Sequence, residues 1–130
     1  MVLASIRWVL WALTAVVLSL RYRVKVTGLE QLRGLKKTII LPNHPAYADP
    51  IIVFRTLWPV LRPRPMLFEG LFKNPLLFWV PKVLDAVAIP DLSGHSVAAR
   101  QQAESAIQEV IAGLKAGSNH ILWPAGHVWH

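Results

Sequence analysis

The sequence contains no cysteine, few acidic residues and no low-complexity tract. Without cysteine the chain has no disulfide framework, no thiol nucleophile and no cysteine-ligated zinc site, so a metal would need histidine and carboxylate ligands. Charged residues make up 16% of the chain and hydrophobic residues 54%, which is too apolar for a disordered protein. The 130 residues are enough for one compact domain.

The scarcity of acidic residues leaves the chain basic, with 14 Lys and Arg against 7 Asp and Glu and a net charge of +7. A basic surface attracts either nucleic acid or anionic lipid headgroups. Six basic residues closely follow the most hydrophobic segment of the chain: Arg21, Arg23, Lys25, Arg33, Lys36 and Lys37. That placement favours a membrane surface, and no recognised nucleic-acid-binding module is present. We therefore expect membrane lipids as partners and no nucleic acid.

The hydrophobic segment Val2–Leu20 predicts a membrane-anchoring helix. As a helix it is about 28 Å long, close to the thickness of a bilayer core. It has no small-residue cleavage site and basic residues follow it, so it resembles a retained anchor rather than a signal peptide. Spanning the bilayer and lying in its interface both stay open, because Arg7 interrupts the segment and Trp8 and Trp11 suit the headgroup level. A spanning helix would place the following chain in the cytoplasm.

The rest of the chain alternates strand and helix patterns, which divides it into an anchor at residues 1–21 and a domain at residues 22–130. Helices are predicted at about Pro50–Trp58 and Val97–Ala116. Strands, most of them continuous apolar runs typical of buried strands, are predicted at Tyr22–Val26, Thr38–Leu41, Met66–Phe68, Ala86–Ile89 and His120–Trp123. This order predicts an α/β fold, a layered sheet with flanking helices preceded by the anchoring helix, with functional residues at the carboxyl ends of the strands.

The longer helix has clear end signals, with Ser96 as a plausible N-cap and Gly117 just past the end. Its predicted packing face consists of apolar residues at helical spacing: Ala103, Ile107, Val110, Ile111 and Leu114. A separate apolar stretch, Pro75–Val80, predicts a short helix or an exposed membrane contact.

A histidine and an aspartate follow the strand predicted at Thr38–Leu41, within the segment from Asn43 to Pro50. Pro50 disfavours helical geometry at Asp49 and suits the first position of a helix, so this segment is predicted to be a loop that can bring His44 and Asp49 together. A carboxylate bound to one imidazole nitrogen fixes the tautomer and leaves the other nitrogen as a general base. The same residues also suit a structural role, with Asp49 as a helix N-cap and Asn43 and His44 as turn residues.

These residues resemble the first signature of the glycerolipid acyltransferase family, the group that includes 1-acylglycerol-3-phosphate acyltransferases. That signature, the HX4D motif, is Asn-His, four residues and Asp after an apolar strand, and Asn43, His44 and Asp49 match it. Val26–Leu32 resembles the family's entry segment, and Trp123–Gly126 resembles its third block. The resemblance spans roughly residues 22–130 and, because such relatives continue further, it implies a C-terminally incomplete member.

The resemblance implies an O-acyltransferase of phospholipid biosynthesis. In this interpretation Asp49 orients His44, and His44 is the general base that removes the proton of the acceptor hydroxyl. The acceptor is of the lysophospholipid or glycerol-phosphate type, and its hydroxyl attacks the acyl thioester of coenzyme A or acyl carrier protein. The thioester is a co-substrate, and no cofactor or metal is implied. The block positions imply substrate contacts at Asn43, Pro124, Gly126 and His127.

The chain departs from the family pattern in two blocks. Ala125 stands where the third block usually has glutamate, and Ala88–Asp91 lacks the arginine thought to hold the acceptor's phosphate. Whether the acceptor carries a phosphate therefore stays open. Arg62, Arg64 and Arg100 are candidate substitutes, although each also suits ordinary surface charge. A non-catalytic, membrane lipid-binding relative is the alternative function.

Three histidines near the last predicted strand raise a zinc alternative. They are His120, His127 and His130. Their spacing fits no zinc signature, so no metal site is expected.

Overall fold

The structure, a computed structural model, describes residues 2–43, 49–91 and 95–124. Its helices are α1 (Val2–Arg21), α2 (Asp49–Leu61), α3 (Gly70–Lys73), α4 (Trp79–Leu84) and α5 (Val97–Lys115), with a short 3₁₀ helix at Leu29–Leu32. Its strands are β1 (Ile39–Ile40), β2 (Arg64–Phe68), β3 (Val87–Ile89) and β4 (His120–Ile121). This mixture of helices and strands confirms the predicted α/β class.

The strands form a parallel sheet in the order β1-β4-β2-β3. The sheet confirms the strands predicted at Met66–Phe68 and Ala86–Ile89, and β1 and β4 lie within the predicted ranges Thr38–Leu41 and His120–Trp123. Parallel strands need long crossover connections. The helices α2 and α5 supply two of these connections and carry much of the apolar core.

The core consists of two clusters of buried side chains. In the first, Ile121 of β4 is fully buried and packs with Leu57 and Leu61 of α2. In the second, Val87 of β3 packs with two residues of α5, Ala106 and Val110. The helices α2 and α5 therefore pack directly on residues of the sheet.

The strand prediction at Tyr22–Val26 is wrong, and the one at Thr38–Leu41 is wrong in part. Residues 22–26 form no strand, because alternation alone gives an exposed segment no hydrogen-bonded neighbour. The run Thr38–Leu41 is less buried than predicted, with Ile39 46% and Leu41 59% exposed. Within the described residues β1 pairs with β4 alone and so forms a sheet edge, and edge strands leave one side open.

The structure confirms α5 and its end signals. The Ser96 hydroxyl accepts a hydrogen bond from the Ala99 amide at 3.0 Å, and Gly117 follows the helix at a φ of 98°. The predicted packing face is partly wrong, since Ile107 is 55% exposed. The buried residues are instead mostly small: Ala99, Ala106, Val110 and Gly113.

Gly113 explains why the packing face is rotated. A Cβ atom at this position would lie 2.5 Å from Nε2 of His120, so the close approach of α5 to β4 requires glycine. The helix therefore turns its smallest residues toward the sheet, and Ile107 and Ile111 lie on the exposed side.

Asn119 joins three segments at the amino end of β4. It is 5% exposed, and its Oδ1 atom accepts a hydrogen bond from the Thr38 amide at 3.1 Å. Its Nδ2 atom donates to the carbonyl oxygens of Leu35 at 3.0 Å and Leu61 at 2.9 Å. One side chain thus ties the entry to β1, the end of α2 and β4 together.

The helix α1 confirms the helix predicted at Val2–Leu20. Among the described residues it is the one helix long and apolar enough to cross a membrane, with a mean hydropathy of 1.8. This character indicates membrane association. The helix also contacts α2 and α4, so it packs on the rest of the protein.

Candidate functional site

The candidate site lies at the carboxyl ends of β1 and β4, which are neighbours in the sheet. Ile40 pairs with Ile121, and the Leu122 amide donates to the Ile40 carbonyl at 3.0 Å. Asn43 and Pro124 each lie three residues beyond this pair. The segments that carry the first and third blocks therefore leave the sheet side by side and in register.

The described residues include half of the predicted site residues. Asn43 and Pro124 are exposed, and Asp49 is partly buried at the first position of α2, one residue earlier than the predicted helix start. His44, Gly126 and His127 lie outside the described residues. The structure thus brings together the segments that flank them, and the pairing of His44 with Asp49 stays a prediction.

A cavity of about 400 Å³ adjoins the start of α2. Its size lies within the range of small-molecule sites. Pro50 and Ile51, directly after Asp49, line it together with Trp123, directly before Pro124. The other walls come from α1, β2, α3 and α4, and nearly all of the lining residues are apolar. An apolar cavity therefore opens beside both candidate blocks.

Three buried N–H donors occur on residues that line this cavity. They are Nε of Arg55 and Nε1 of Trp58 and Trp123, and each has no hydrogen-bond partner among the described residues. An unpaired buried donor costs free energy unless a ligand or water accepts its hydrogen bond. These three donors have almost no accessible surface, so the walls that the cavity presents to a ligand are almost entirely apolar.

Sequence reasoning missed Arg55, Trp58 and Trp123 as candidate site residues. The sequence holds one usable signal, because Trp123 is the first residue of the segment Trp123–Gly126 that resembles the third block. The cavity itself has no local signal, since its walls combine α1, α2, the stretch from β2 to α4 and Trp123.

Arg64, a candidate substitute for the phosphate-binding arginine, lies at the opposite end of the sheet. It begins β2 and forms ion pairs with Asp85 at 2.9 Å and with Glu109 of α5 at 2.6 Å. Arg62 is exposed just before β2, near the same end, and Arg100 is exposed in the first turn of α5. Arg64 therefore belongs to an ion-pair cluster with Asp85 and Glu109, at the other end of the sheet from the candidate blocks.

His120 lies beside the Arg64 cluster, at the amino end of β4. It is fully buried, and neither ring nitrogen has a hydrogen-bond partner among the described residues. Burial lowers the pKa of His120 below 6.5, and the charge of Arg64 lowers this pKa further against opposing effects of Glu109 and Asp85. His120 is therefore a core residue whose neutral form is favoured by its surroundings.

The zinc alternative gains no geometric support from the part of the chain that the structure describes. That part holds no group of three or more histidine, aspartate or glutamate residues placed to bind a metal ion. His127 and His130 lie outside it.

Comparison with known protein families agrees with this geometry. The family model described as Acyltransferase matches residues 23–130, which is most of the chain. The chain belongs to the acyltransferase family, which confirms the resemblance and indicates acyl transfer in lipid metabolism. No curated protein and no solved structure matches the chain.

Proposed function

We propose that this protein transfers a fatty acyl group from the thioester of coenzyme A or acyl carrier protein to the hydroxyl of a lysophospholipid or glycerol-phosphate-type acceptor. The observation that carries the proposal is the shared register of β1 and β4, from which the HX4D segment and the third block leave side by side. The proposed parts are an anchor at residues 1–21 and a layered acyltransferase domain at residues 22–130.

The proposed chemistry needs one base and no covalent enzyme intermediate. His44, oriented by Asp49, removes the proton of the acceptor hydroxyl as its oxygen attacks the thioester carbonyl. The carbon–sulfur bond then breaks, and the proton passes from His44 to the leaving thiolate. A positioned general base contributes typically about 10²–10⁴-fold to such a step. No metal or cofactor enters it.

The remaining predicted residues have proposed roles at the same edge of the sheet. Asn43, Pro124 and Gly126 shape the substrate site, and His127 donates a hydrogen bond to the acceptor or to the developing oxyanion. The apolar cavity suits the acyl chain.

The proposed reaction takes place at a membrane, with the domain on the cytoplasmic side. The cytoplasmic leaflet is anionic and attracts basic segments next to a membrane anchor. Arg21, Arg23 and Lys25 form such a segment at the end of α1. Acceptor lipids therefore lie in the surface to which the protein binds.

The test is thiol release from a long-chain acyl-CoA by membranes containing the chain, with a panel of lysophospholipid and glycerol-phosphate acceptors. We expect acceptor-dependent release that His44→Asn lowers at least 100-fold, because asparagine cannot take up the proton. His95→Asn is the matched control, since His95 is exposed at a φ of 50° that asparagine tolerates. Equal loss in both variants would contradict the proposed base.

A second candidate function is a non-catalytic, membrane lipid-binding relative. The substitution of Ala125 for the glutamate expected in the third block favours it. The same assay separates the two candidates. Saturable binding of a lysophospholipid, with no thiol release in either the unmodified chain or His44→Asn, would support lipid binding.

A further inference from the structure

One face of α1 packs against the folded chain. Its partly buried residues recur at helical spacing: Arg7, Leu10, Trp11, Thr14, Ala15 and Leu18. From Arg7 to Leu18 this stripe extends over about 17 Å of the helix axis. The contacts are with α2 and α4, so more than half of α1 lies alongside other helices.

Two side-chain donors hold this face in place by binding backbone carbonyls that helical bonding leaves free. Pro59 lies inside α2 and has no N–H, so the Arg55 carbonyl has no helical donor four residues on. The Trp11 indole N–H donates to that carbonyl at 2.9 Å. The Arg7 guanidinium donates to the Val83 carbonyl in the last turn of α4. The only two polar N–H side chains in this stripe are therefore used for docking.

The docked position conflicts with a membrane-spanning α1. Trp11 lies at the middle of α1, and the Arg55 guanidinium carbon lies 5.8 Å from the centre of the Trp11 ring. A spanning α1 would therefore carry Arg55 to the centre of the bilayer and Arg7 to within about 7 Å of it along the helix axis, where charged side chains are costly. A helix lying in the interface keeps both near the headgroups.

The opposite face of α1 is apolar and open. Val2, Val9 and Val16 lie seven residues apart on this face and are 74%, 57% and 60% exposed. Between residues 2 and 20 the one charged side chain is Arg7, which faces α4. This outer face therefore suits the hydrocarbon boundary of a bilayer.

A second exposed apolar element lies next to α1. The tip formed by residues 76–79 exposes Leu76 by 79% and three further large side chains by more than 40%, namely Leu77, Phe78 and Trp79. The tip leads directly into α4, which contacts α1, and Trp79 lines the same cavity as Trp11.

The amides of residues 76–78 and the Trp79 indole are hydrogen-bonded within the protein. Oδ1 of Asn74 accepts from the amides of Leu76 and Leu77, and its backbone carbonyl accepts from Phe78. The Trp79 indole donates to the Leu76 carbonyl at 3.0 Å. Because unpaired backbone groups are costly in lipid, this bonding suits the tip for insertion.

We propose that α1 lies flat in the membrane interface and that its outer face and the 76–79 tip together form the surface that binds an anionic lipid bilayer. Charge supports this partner, because Arg21 ends α1 and Lys82 lies over the Phe78 ring at 5.4 Å. Basic side chains beside inserted apolar residues match anionic headgroups.

The absence of cysteine makes a direct test possible, since each introduced cysteine carries the only label. A nitroxide is attached to Val2→Cys, Val9→Cys, Val16→Cys or Leu76→Cys, and its depth is measured in vesicles of phosphatidylcholine and phosphatidylglycerol. Ile107→Cys is the matched control, at an apolar position 55% exposed on α5. All five positions are exposed, so the substitutions remove little packing.

We expect the three α1 labels at one depth in the upper acyl region, the Leu76 label in the acyl region too, and the Ile107 label in water. A spanning helix would instead separate the Val2 and Val9 labels by about 10 Å in depth. That result, or a Leu76 label as water-exposed as the Ile107 label, would overturn the proposal. Spin–spin broadening of an α1 label would also overturn the proposal. Because each chain carries a single label, broadening would show that a second copy of the chain covers the outer face of α1. None of these readouts depends on acyl transfer.

Discussion

His120 shows how a single residue makes the stability of this protein depend on pH. It is fully buried between α5 and β2, with Gly113 against its ring and Arg64, Glu109 and Asp85 as the charged neighbours. Burial, followed by the charge of Arg64, lowers the pKa of His120 below 6.5. The unfolded chain therefore binds a proton at this residue more readily than the folded chain does.

We predict that the free energy of unfolding falls as the pH drops below about 6.5 and that His120→Gln removes part of this dependence. From about one pH unit above that value His120 is neutral in both states, so its contribution is constant there. One proton changes the slope by at most about 1.4 kcal/mol per pH unit. Denaturant unfolding in detergent between pH 5 and 7.5 measures it. The exposed His95→Gln variant is the control, and equal slopes in the two variants would contradict the prediction.

At the scale of helices, the docking of α1 depends on a missing hydrogen bond in α2. We predict that Trp11→Phe lowers the free energy of unfolding by about 1–3 kcal/mol, because it leaves the Arg55 carbonyl without a donor. Pro59→Ala restores a backbone N–H for that carbonyl. In the Pro59→Ala background, Trp11→Phe should therefore cost clearly less. Denaturant unfolding of the four variants as a double-mutant cycle gives the coupling.

The control for this cycle is Trp8→Phe. Trp8 is 42% exposed and touches Trp11 edge to face, with ring centres 5.6 Å apart. Trp8→Phe should lower the free energy of unfolding only slightly, and this cost should be the same with proline or alanine at position 59. An equal cost of Trp11→Phe in both backgrounds would show that the indole does not replace the missing donor.

Strands were predictable from the sequence where an apolar run has another strand beside it to bond. Met66–Phe68 and Ala86–Ile89 pair with each other as parallel strands, although Val87 is the one buried residue in these two runs. Residues 22–26 have the alternation of a strand but no neighbour to bond. The packing face of α5 depends on the space beside His120, which sequence periodicity does not contain. Local patterns thus predict where elements lie better than which face they bury.

The candidate site was predictable to a similar extent. The HX4D segment and the third block are local motifs, and they follow strands that prove to be neighbours. The cavity residues Arg55, Trp58 and Trp123 were not predictable as a group, because the first two lie on α2 and the fold brings the distant Trp123 to the same cavity. Asn119 was missed for the same reason, since its three bonding partners are far away in the sequence.

At the scale of the whole molecule, the net charge of +7 and the exposed apolar surface predict two separable components of membrane binding. Binding to vesicles should rise with the fraction of phosphatidylglycerol and weaken as salt is raised from 0.1 to 1 M, because the screening length falls from about 10 Å to about 3 Å. A residual affinity should remain at high salt, since burial of the outer face of α1 and of Leu76 does not depend on charge. Vesicle sedimentation measures both components, with phosphatidylcholine vesicles as the control that lacks the salt dependence. Equal binding to the two vesicle types at low salt would show that the basic residues do not contact lipid.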